Sequence, residues 1–323
     1  MASRANVVII TYNALNYTKA TLSSLFEKTH NDFNLTIVDN GSEPDTIDYL
    51  DALKPVGHCK KITIIKNGKN MGVGYAYNQG QQVSFAEGLE FTVFCNNDLY
   101  FSTDWLINLE NNMNSNPNIA MISPLRPSAK VRYDSKISTR DKLIEIPETN
   151  DWMSELVSYT GLPIEYFDRF TNQVAKANRD GEIEIISFPD SLSTCVCLTR
   201  NSVFKMLGRF ADPRFTNYGG EDIDMSWTIM SMGYYCAVDH SVYVHHFRGK
   251  SLKSNNMNRQ ELVEQSNKIL YSKWKGVIGD FIEEKKLQGI DISTRIREGQ
   301  SSEYWLLFEL NQDEKFLRDE AYV

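Results

Sequence analysis

The first 125 residues alternate short, uniformly apolar runs with longer stretches of helical spacing, and few folds accept that pattern. The apolar runs are NVVIIT at 6–11, LTIV at 35–38, ITII at 62–65 and FTVFC at 91–95. Between and after them, residues 15–29, 43–53, about 75–86 and 103–114 carry apolar positions at three- and four-residue intervals, as in Leu15, Leu22, Leu25 and Phe26. A strand that is apolar on both faces must be covered on both faces. Strands of this kind separated by helices therefore predict a parallel sheet between two helical layers, a doubly wound α/β unit.

Each run ends in a small or polar cluster: Thr11-Tyr12-Asn13, Asp39-Asn40-Gly41-Ser42, residues 67–70 and Asn96-Asn97-Asp98. In a parallel sheet these tips share one edge, and open α/β sheets bind ligands at that edge. In the stretch FTVFCNNDLYF at 91–101, Asn96 and Asp98 are two apart and point to the same side of an extended backbone. A carbonyl and a carboxylate there suit a hard divalent cation that keeps positions open for phosphate oxygens. Asn-Asn-Asp is also good turn chemistry, and the other tips at the same edge favour a site. A nucleotide fits it: Asp39 is placed to accept from a ribose or base, and the glycines at 72, 74 and 80 allow close backbone approach. The segment from Gly72 lacks the third glycine of the dinucleotide fingerprint and follows the third strand. No G-x-x-x-x-G-K-[ST] occurs. Nicotinamide-dependent enzymes and P-loop NTPases are disfavoured.

With 34 Lys and Arg against 42 Asp and Glu, the chain carries a formal charge of −8. That balance argues against a broad nucleic-acid or anionic-membrane footprint. No apolar run reaches the length of a spanning helix, and the first residues lack a signal-peptide core, so the expectation is a cytoplasmic protein with at most peripheral membrane association. Five cysteines, an odd number, sit mostly in apolar runs and read as buried thiols of a reducing compartment. Cys195 and Cys197 have no second pair or spaced histidines, which argues against zinc.

Residues 124–189 are the least regular, and patterning returns with a strand at 192–199 and a short helix at 201–207. Then FTNYGGEDIDMSWTIMS at 215–231 loads Glu221, Asp222 and Asp224 into the first turn of a helix behind two glycines. Acids at a helix N-terminus are ordinary capping chemistry, but three beside a glycine pair exceed what a cap requires, and one could serve as a general base. Strands at 234–238 and 242–245 lead into His245-His246-Phe247-Arg248-Gly249-Lys250-Ser251, which has the look of a ligand followed by a phosphate-facing loop. Amphipathic helices are predicted over 259–287 and 303–320, where Trp274 reads as a core residue.

In order, VVIITYN at 7–13, IVDNGS at 37–42, NMGVGYAYNQG at 70–80, NND at 96–98, YGGEDIDMSW from Tyr218 and His246-x-x-Gly249-x-Ser251 resemble the family 2 glycosyltransferases of the GT-A fold, particularly the rhamnosyltransferase-like branch. The resemblance covers about residues 5–126 and 190–251. It implies a GT-A domain over 1–255, with a nucleotide-binding half at 1–125, an acceptor-side insertion at 127–190 and a catalytic half at 190–255. A helical extension over 256–323 follows, able to mediate a homodimer. It implies inverting transfer of a sugar from a nucleotide-diphosphate donor, a UDP- or dTDP-sugar, to a carbohydrate-like acceptor, as in polysaccharide biosynthesis. Mn2+ or Mg2+ would be held by Asp98 and His246, with His245 as fallback. Asp222 would be the general base, with Glu221 as the alternative. Thr11, Tyr12, Asn13, Asp39, Asn70, Gly72, Asn78, Asn96 and Asn97 would line the donor, and Arg248 and Lys250 would add charge at its diphosphate. One departure stands out: the D-x-D position reads Asn96-Asn97-Asp98, with a single carboxylate.

Two other classes compete. Nucleotidyltransferases carry a glycine-rich basic loop after the first strand, where this chain has Tyr12-Asn13-Ala14-Leu15. A non-catalytic nucleotide-sugar-binding scaffold would have no need to keep Asp98, Asp222 and His246 together.

Overall fold

A computed structural model describes residues 3–126, 171–172, 174–176, 178–216, 219–247 and 259–290. The first half runs β1 (Ala5–Thr11), α1 (Leu15–Lys28), β2 (Phe33–Asp39), α2 (Pro44–Asp51), β3 (Cys59–Lys66), α3 (Val73–Ala86), β4 (Phe91–Asn96), β5 (Leu99–Phe101), α4 (Trp105–Ser115) and β6 (Ile119–Leu125). The second half contributes β7 (Ile183–Ile186), β8 (Val196–Arg200), α5 (Asn201–Leu207), α6 (Glu221–Ser231), β9 (Tyr235–His246) and α7 (Arg259–Leu287).

Side chains of each strand serve two cores. Along β1, Val7 and Ile9 pack with Leu22 and Leu25 of α1 and with Trp105, Leu106 and Leu109 of α4. Val8 and Ile10 pack on the other face with Tyr77 of α3, Phe204 of α5 and Met225 and Ile229 of α6. Strict alternation along a strand makes this division, and it is why the strands read as continuous apolar runs. Each fully buried side chain of this size contributes about 1.5–3 kcal/mol. A third, smaller core joins α7 to α6 through Phe215, Trp227, Leu270, Trp274 and Ile278.

The sheet order is β3-β2-β1-β4-β8-β6-β9-β5, with β7 on β9. β1, β2, β3 and β4 are parallel, and their register aligns the tips: Thr11 lies beside Asp39, Asp39 beside Lys66, and Ile10 beside Asn96. β8 runs antiparallel between β4 and β6, so the sheet is mixed beyond β4.

Three elements differ from what the sequence predicts. β6 was not anticipated, because its IAMISPL contains Pro124, and proline inside a run argues against a strand. The register with β9 shifts between Pro124 and Leu125, where the irregularity accommodates it. The two strands expected at 234–238 and 242–245 are one strand with three partners: its first part pairs with β6 and β7, its last residues with β5. The strand expected at 192–199 is confined to Val196–Arg200. Among the described residues no helix is long and apolar enough to cross a membrane. The helix expected at 303–320 and most of the 127–190 insertion lie outside the described residues.

Candidate active site

The site is assembled at the carboxyl ends of the parallel strands. Just past β1, Asn13 and Ala14 take φ of 57° and 55°. Asn tolerates this left-handed region; Ala rarely adopts it. The turn is held by Asn13, whose N–H donates to Ser42 Oγ at 2.8 Å and whose Oδ1 accepts from the Glu43 N–H at 2.7 Å. Asp39 is buried, and its carboxylate accepts from the N–H groups of Gly41 and Ser42 at 3.1 and 3.2 Å. The structure thus places Asp39 as the organiser of its own turn. Thr11 is fully buried, and its carbonyl accepts from the Asn40 N–H. Tyr12, next along the chain, is half-buried.

Asn40 was not among the predicted site residues, yet its amide organises the glycine loop. It donates to the Gly72 carbonyl at 3.2 Å and to Asn70 Oδ1 at 3.3 Å, and it accepts from Asn67 Nδ2 at 2.9 Å. Asn70 in turn accepts from the Gly72 N–H at 2.9 Å. Gly72 has φ of 85°, and a Cβ there would lie 2.1 Å from the Thr216 carbonyl oxygen. Glycine is required by this approach of two backbones. Asn78 donates to the Ala211 carbonyl and accepts from the N–H groups of Phe210 and Ala211, so it clamps the 210–216 loop.

At the end of β4 the three residues of the NND stretch divide. Asn97 turns inward and donates to Asn13 O and Thr18 Oγ1, tying the strand end to α1. Asn96 and Asp98 face His246. Asp98 Oδ1 lies 3.1 Å from His246 Nε2, and Asn96 Nδ2 lies 3.3 Å from the same nitrogen. Pairing of β5 with β9 makes this possible, since Leu99 is in register with His246 and the Asp98 carbonyl accepts from the Phe247 N–H. Burial opposes a charge on His246, but Asp98 and Cys195 outweigh it and push the imidazole up to about 10. Burial likewise opposes the Cys195 thiolate, but Arg126, 3.2 Å away, and His246 bring it down to about 6. Tyr77, fully buried, donates to the Thr194 carbonyl at 2.9 Å and reaches Asn96 Oδ1 at 3.3 Å. His245 alternates to the other face, where its Nδ1 meets the Tyr243 hydroxyl at 3.0 Å, its ring packs on Phe247 and burial lowers it to about 3. His246, not His245, therefore stands beside Asp98.

A divalent cation fits this pair. With metal–ligand distances of about 2.1 Å, adjacent octahedral ligands lie roughly 3 Å apart. The 3.1 Å between Asp98 Oδ1 and His246 Nε2 is that of a hydrogen-bonded ion pair, and a metal that displaced the imidazole proton would find both atoms close to that separation. No group of three or more His, Cys, Asp or Glu suited to a metal occurs among the described residues, so the remaining donors would come from the substrate.

The acidic helix α6 begins after Gly219 and Gly220, both left-handed at φ 84° and 88°. Glu221 is buried near the start of α3, where a Cβ on Gly74 would lie 3.8 Å from the Glu221 Cβ. Its burial, reinforced by Asp222, pushes the carboxyl up to about 8. Asp222 is half-buried, and its Oδ1 accepts from the Ile223 N–H at 3.0 Å. Asp224 turns to α7 and accepts from Trp274 Nε1 at 2.7 Å and Lys273 Nζ at 2.8 Å. Arg248 and Lys250 lie outside the described residues.

The sequence model of glycosyl transferase family 2 matches residues 6–173, just over half of the chain. The chain belongs to glycosyl transferase family 2. Comparison with curated protein sequences gives no match. Among solved structures, this family 2 chain is similar to GalNAc-T7 with UDP, GalNAc and Mn2+, at 14% identity and a TM-score of 0.50 over 96% of this chain and 57% of that one. It is also similar to the mannosyltransferase PcManGT from Pyrobaculum calidifontis in complex with GDP-Man and Mn2+, at 11% identity and a TM-score of 0.52 over 98% and 88%. A third likeness is to S. aureus TarS, at 13% identity and a TM-score of 0.50 over 84% and 39%. The chain thus spans little more than half the length of GalNAc-T7 and less than half that of TarS. These likenesses establish the GT-A glycosyltransferase fold. The family match ends before β8, so Asp222 and His246 stand on the geometry described above.

Proposed function

We propose that this chain is an inverting, metal-dependent glycosyltransferase that moves a sugar from a nucleotide-diphosphate donor to a hydroxyl acceptor by single displacement. The observation that carries the reading is the meeting of Asp98 and His246 at the tip of the nucleotide-binding sheet. Mn2+ or Mg2+ bound there would supply Lewis-acid stabilisation of charge on the departing diphosphate. The two structural neighbours with nucleotide ligands also hold Mn2+, which supports this choice.

The remaining roles fall to the chain itself. Asn13, Asp39 and Asn40 hold the loops on which the nucleoside rests, and Gly72 and Gly74 let that loop close on residues 211–216. Asp222 accepts the acceptor hydroxyl proton as the new bond to the anomeric carbon forms, while the bond to the diphosphate oxygen breaks with its electron pair. Inversion follows from a single displacement with one base. Glu221, held protonated near neutral pH by burial, is unsuited to that task. We read the donor as a UDP- or dTDP-sugar, the acceptor as carbohydrate-like and met by residues 127–190, and the chain as belonging to the rhamnosyltransferase-like branch. Five buried free thiols support a cytoplasmic setting.

The test is release of nucleoside diphosphate from UDP-, dTDP- and GDP-sugars with Mn2+, with and without oligosaccharide acceptors. Release from one donor class, abolished by EDTA, is expected. Nucleotide binding without any release would overturn the catalytic reading and favour a nucleotide-sugar-binding scaffold.

A further inference from the structure

The acidic helix is fastened to a segment that the family match does not reach. Two left-handed glycines precede α6, and no side chain caps its N-terminus. A restraint on its first turn comes from α7. Asp224 lies in the same first turn as Asp222 and is 1% exposed. Its two carboxylate oxygens are taken by Trp274 Nε1 at 2.7 Å and Lys273 Nζ at 2.9 Å. Behind the hinge, a Cβ on Gly220 would lie 3.1 Å from Ser266 of α7. Lys273 also reaches Asp212 at 3.7 Å, at the root of the loop whose Thr216 carbonyl closes on Gly72.

Apolar packing alone would hold α7 in place, since Trp274 meets the Trp227 ring edge-on at 5.6 Å within a continuous small core. A buried ion pair adds little net stability, because desolvation offsets most of its attraction. It adds direction: two hydrogen bonds aim the Asp224 side of the first turn at α7. Lys273 also compensates one of the three carboxylates crowded into that turn, so the charge of Asp224 does not act on Asp222 unopposed.

We infer that Lys273 and Trp274 of α7 are positioning residues for Asp222, holding the first turn of α6 in register with the donor loop through Asp224. The inference rests on the reading of Asp222 as the base. It makes the C-terminal helix part of the acceptor-activating apparatus, beyond its role as a packing extension.

Two variants keep the apolar core and remove the restraint, Trp274→Phe and Lys273→Met, with Lys273→Arg as the conservative rescue. Hydrogen exchange at amides 221–226 and Mn2+-dependent release of nucleoside diphosphate are read on the full chain. The expected result is faster exchange confined to the first turn of α6. Turnover should fall about 10-fold to 100-fold, with donor KM within about twofold of wild type and recovery in Lys273→Arg. Native exchange with native turnover in both variants would overturn the inference and leave Asp222 standing as the base. So would a loss of turnover accompanied by faster exchange throughout the sheet, which is what a merely structural helix would give. Failure of the underlying reading looks different: Asp222→Asn would then retain full turnover whatever the α7 variants do.

Discussion

His246 Nε2, at the end of β9, lies 3.1 Å from Asp98 Oδ1, just past the end of β4. Neither strand end would bind a cation alone, since one offers a single carboxylate and the other a single imidazole. The pairing of β5 with β9 brings the two side chains within hydrogen-bond distance.

Asp98→Ala and His246→Ala should each weaken Mn2+-dependent nucleotide binding by on the order of 10–100-fold, a loss known even for residues that only support metal ligands. Calorimetric titration of UDP or GDP with and without Mn2+ checks this. Equal affinity in the presence and absence of metal in the wild type would remove both residues from a metal site.

Asp222 and Glu221 should separate cleanly. Asp222→Asn is expected to lower turnover by about 10²–10⁴-fold with nucleotide binding retained. Glu221→Gln should stay within a few-fold of wild type, because the buried Glu221 carboxyl, pushed up to about 8, is already neutral near pH 7. Steady-state kinetics of the two variants decide; the reverse ranking would make Glu221 the base.

Much of this arrangement was legible in the sequence, for a definite reason. Apolar runs and polar tips are local signals, and parallel register converts them into one shared edge, so the pattern alone puts Thr11, Asp39 and Asn96 together. Which neighbour faces the site is set by long-range pairing. The sequence puts His246 ahead of His245 only through the resemblance, and strand pairing decides it: Asn97 turns to α1 and His245 to Phe247. Asn40 and Tyr77 gave no signal of their own, because their partners, Gly72 and Thr194, are distant in sequence. Asp224 was counted with the other acids of its turn, and only the fold of α7 reveals that it faces Trp274.

The glycine loop makes a paired prediction. Gly72→Ala places a Cβ 2.1 Å from the Thr216 oxygen at a φ of 85°, and should destabilise by about 3 kcal/mol or more. Gly68→Ala, at φ 66° with open space around it, should cost only about 1 kcal/mol. Denaturant melts compare them, and equal losses would contradict the close approach.

Glu110 of α4 sets a pH dependence. Burial pushes its carboxyl up to about 7 from an ordinary 4.5, against the pull of Arg4 and the Asn31 amide. Its Oε1 has no partner among the described residues. The folded state therefore binds this proton more tightly than the unfolded chain. The stability it contributes is full below pH 4.5 and is lost as pH rises through 7, by about 3 kcal/mol in all. Glu110→Gln should flatten that slope in urea melts taken between pH 4.5 and 8, and an unchanged slope would contradict the assignment.

If Asp98 and His246 hold a metal against the donor, metal and nucleotide bind there together. Thermal denaturation of the full chain with UDP, dTDP or GDP, each with Mn2+, Mg2+ or EDTA, tests it most directly. A ligand at about a hundredfold over its Kd stabilises the folded state by about 2.7 kcal/mol. Tm is expected to rise by several degrees with one nucleoside diphosphate and metal together, little with either alone, and not at all in the His246→Ala variant. A nucleotide that stabilises equally in EDTA, or no shift with any nucleotide, would contradict it.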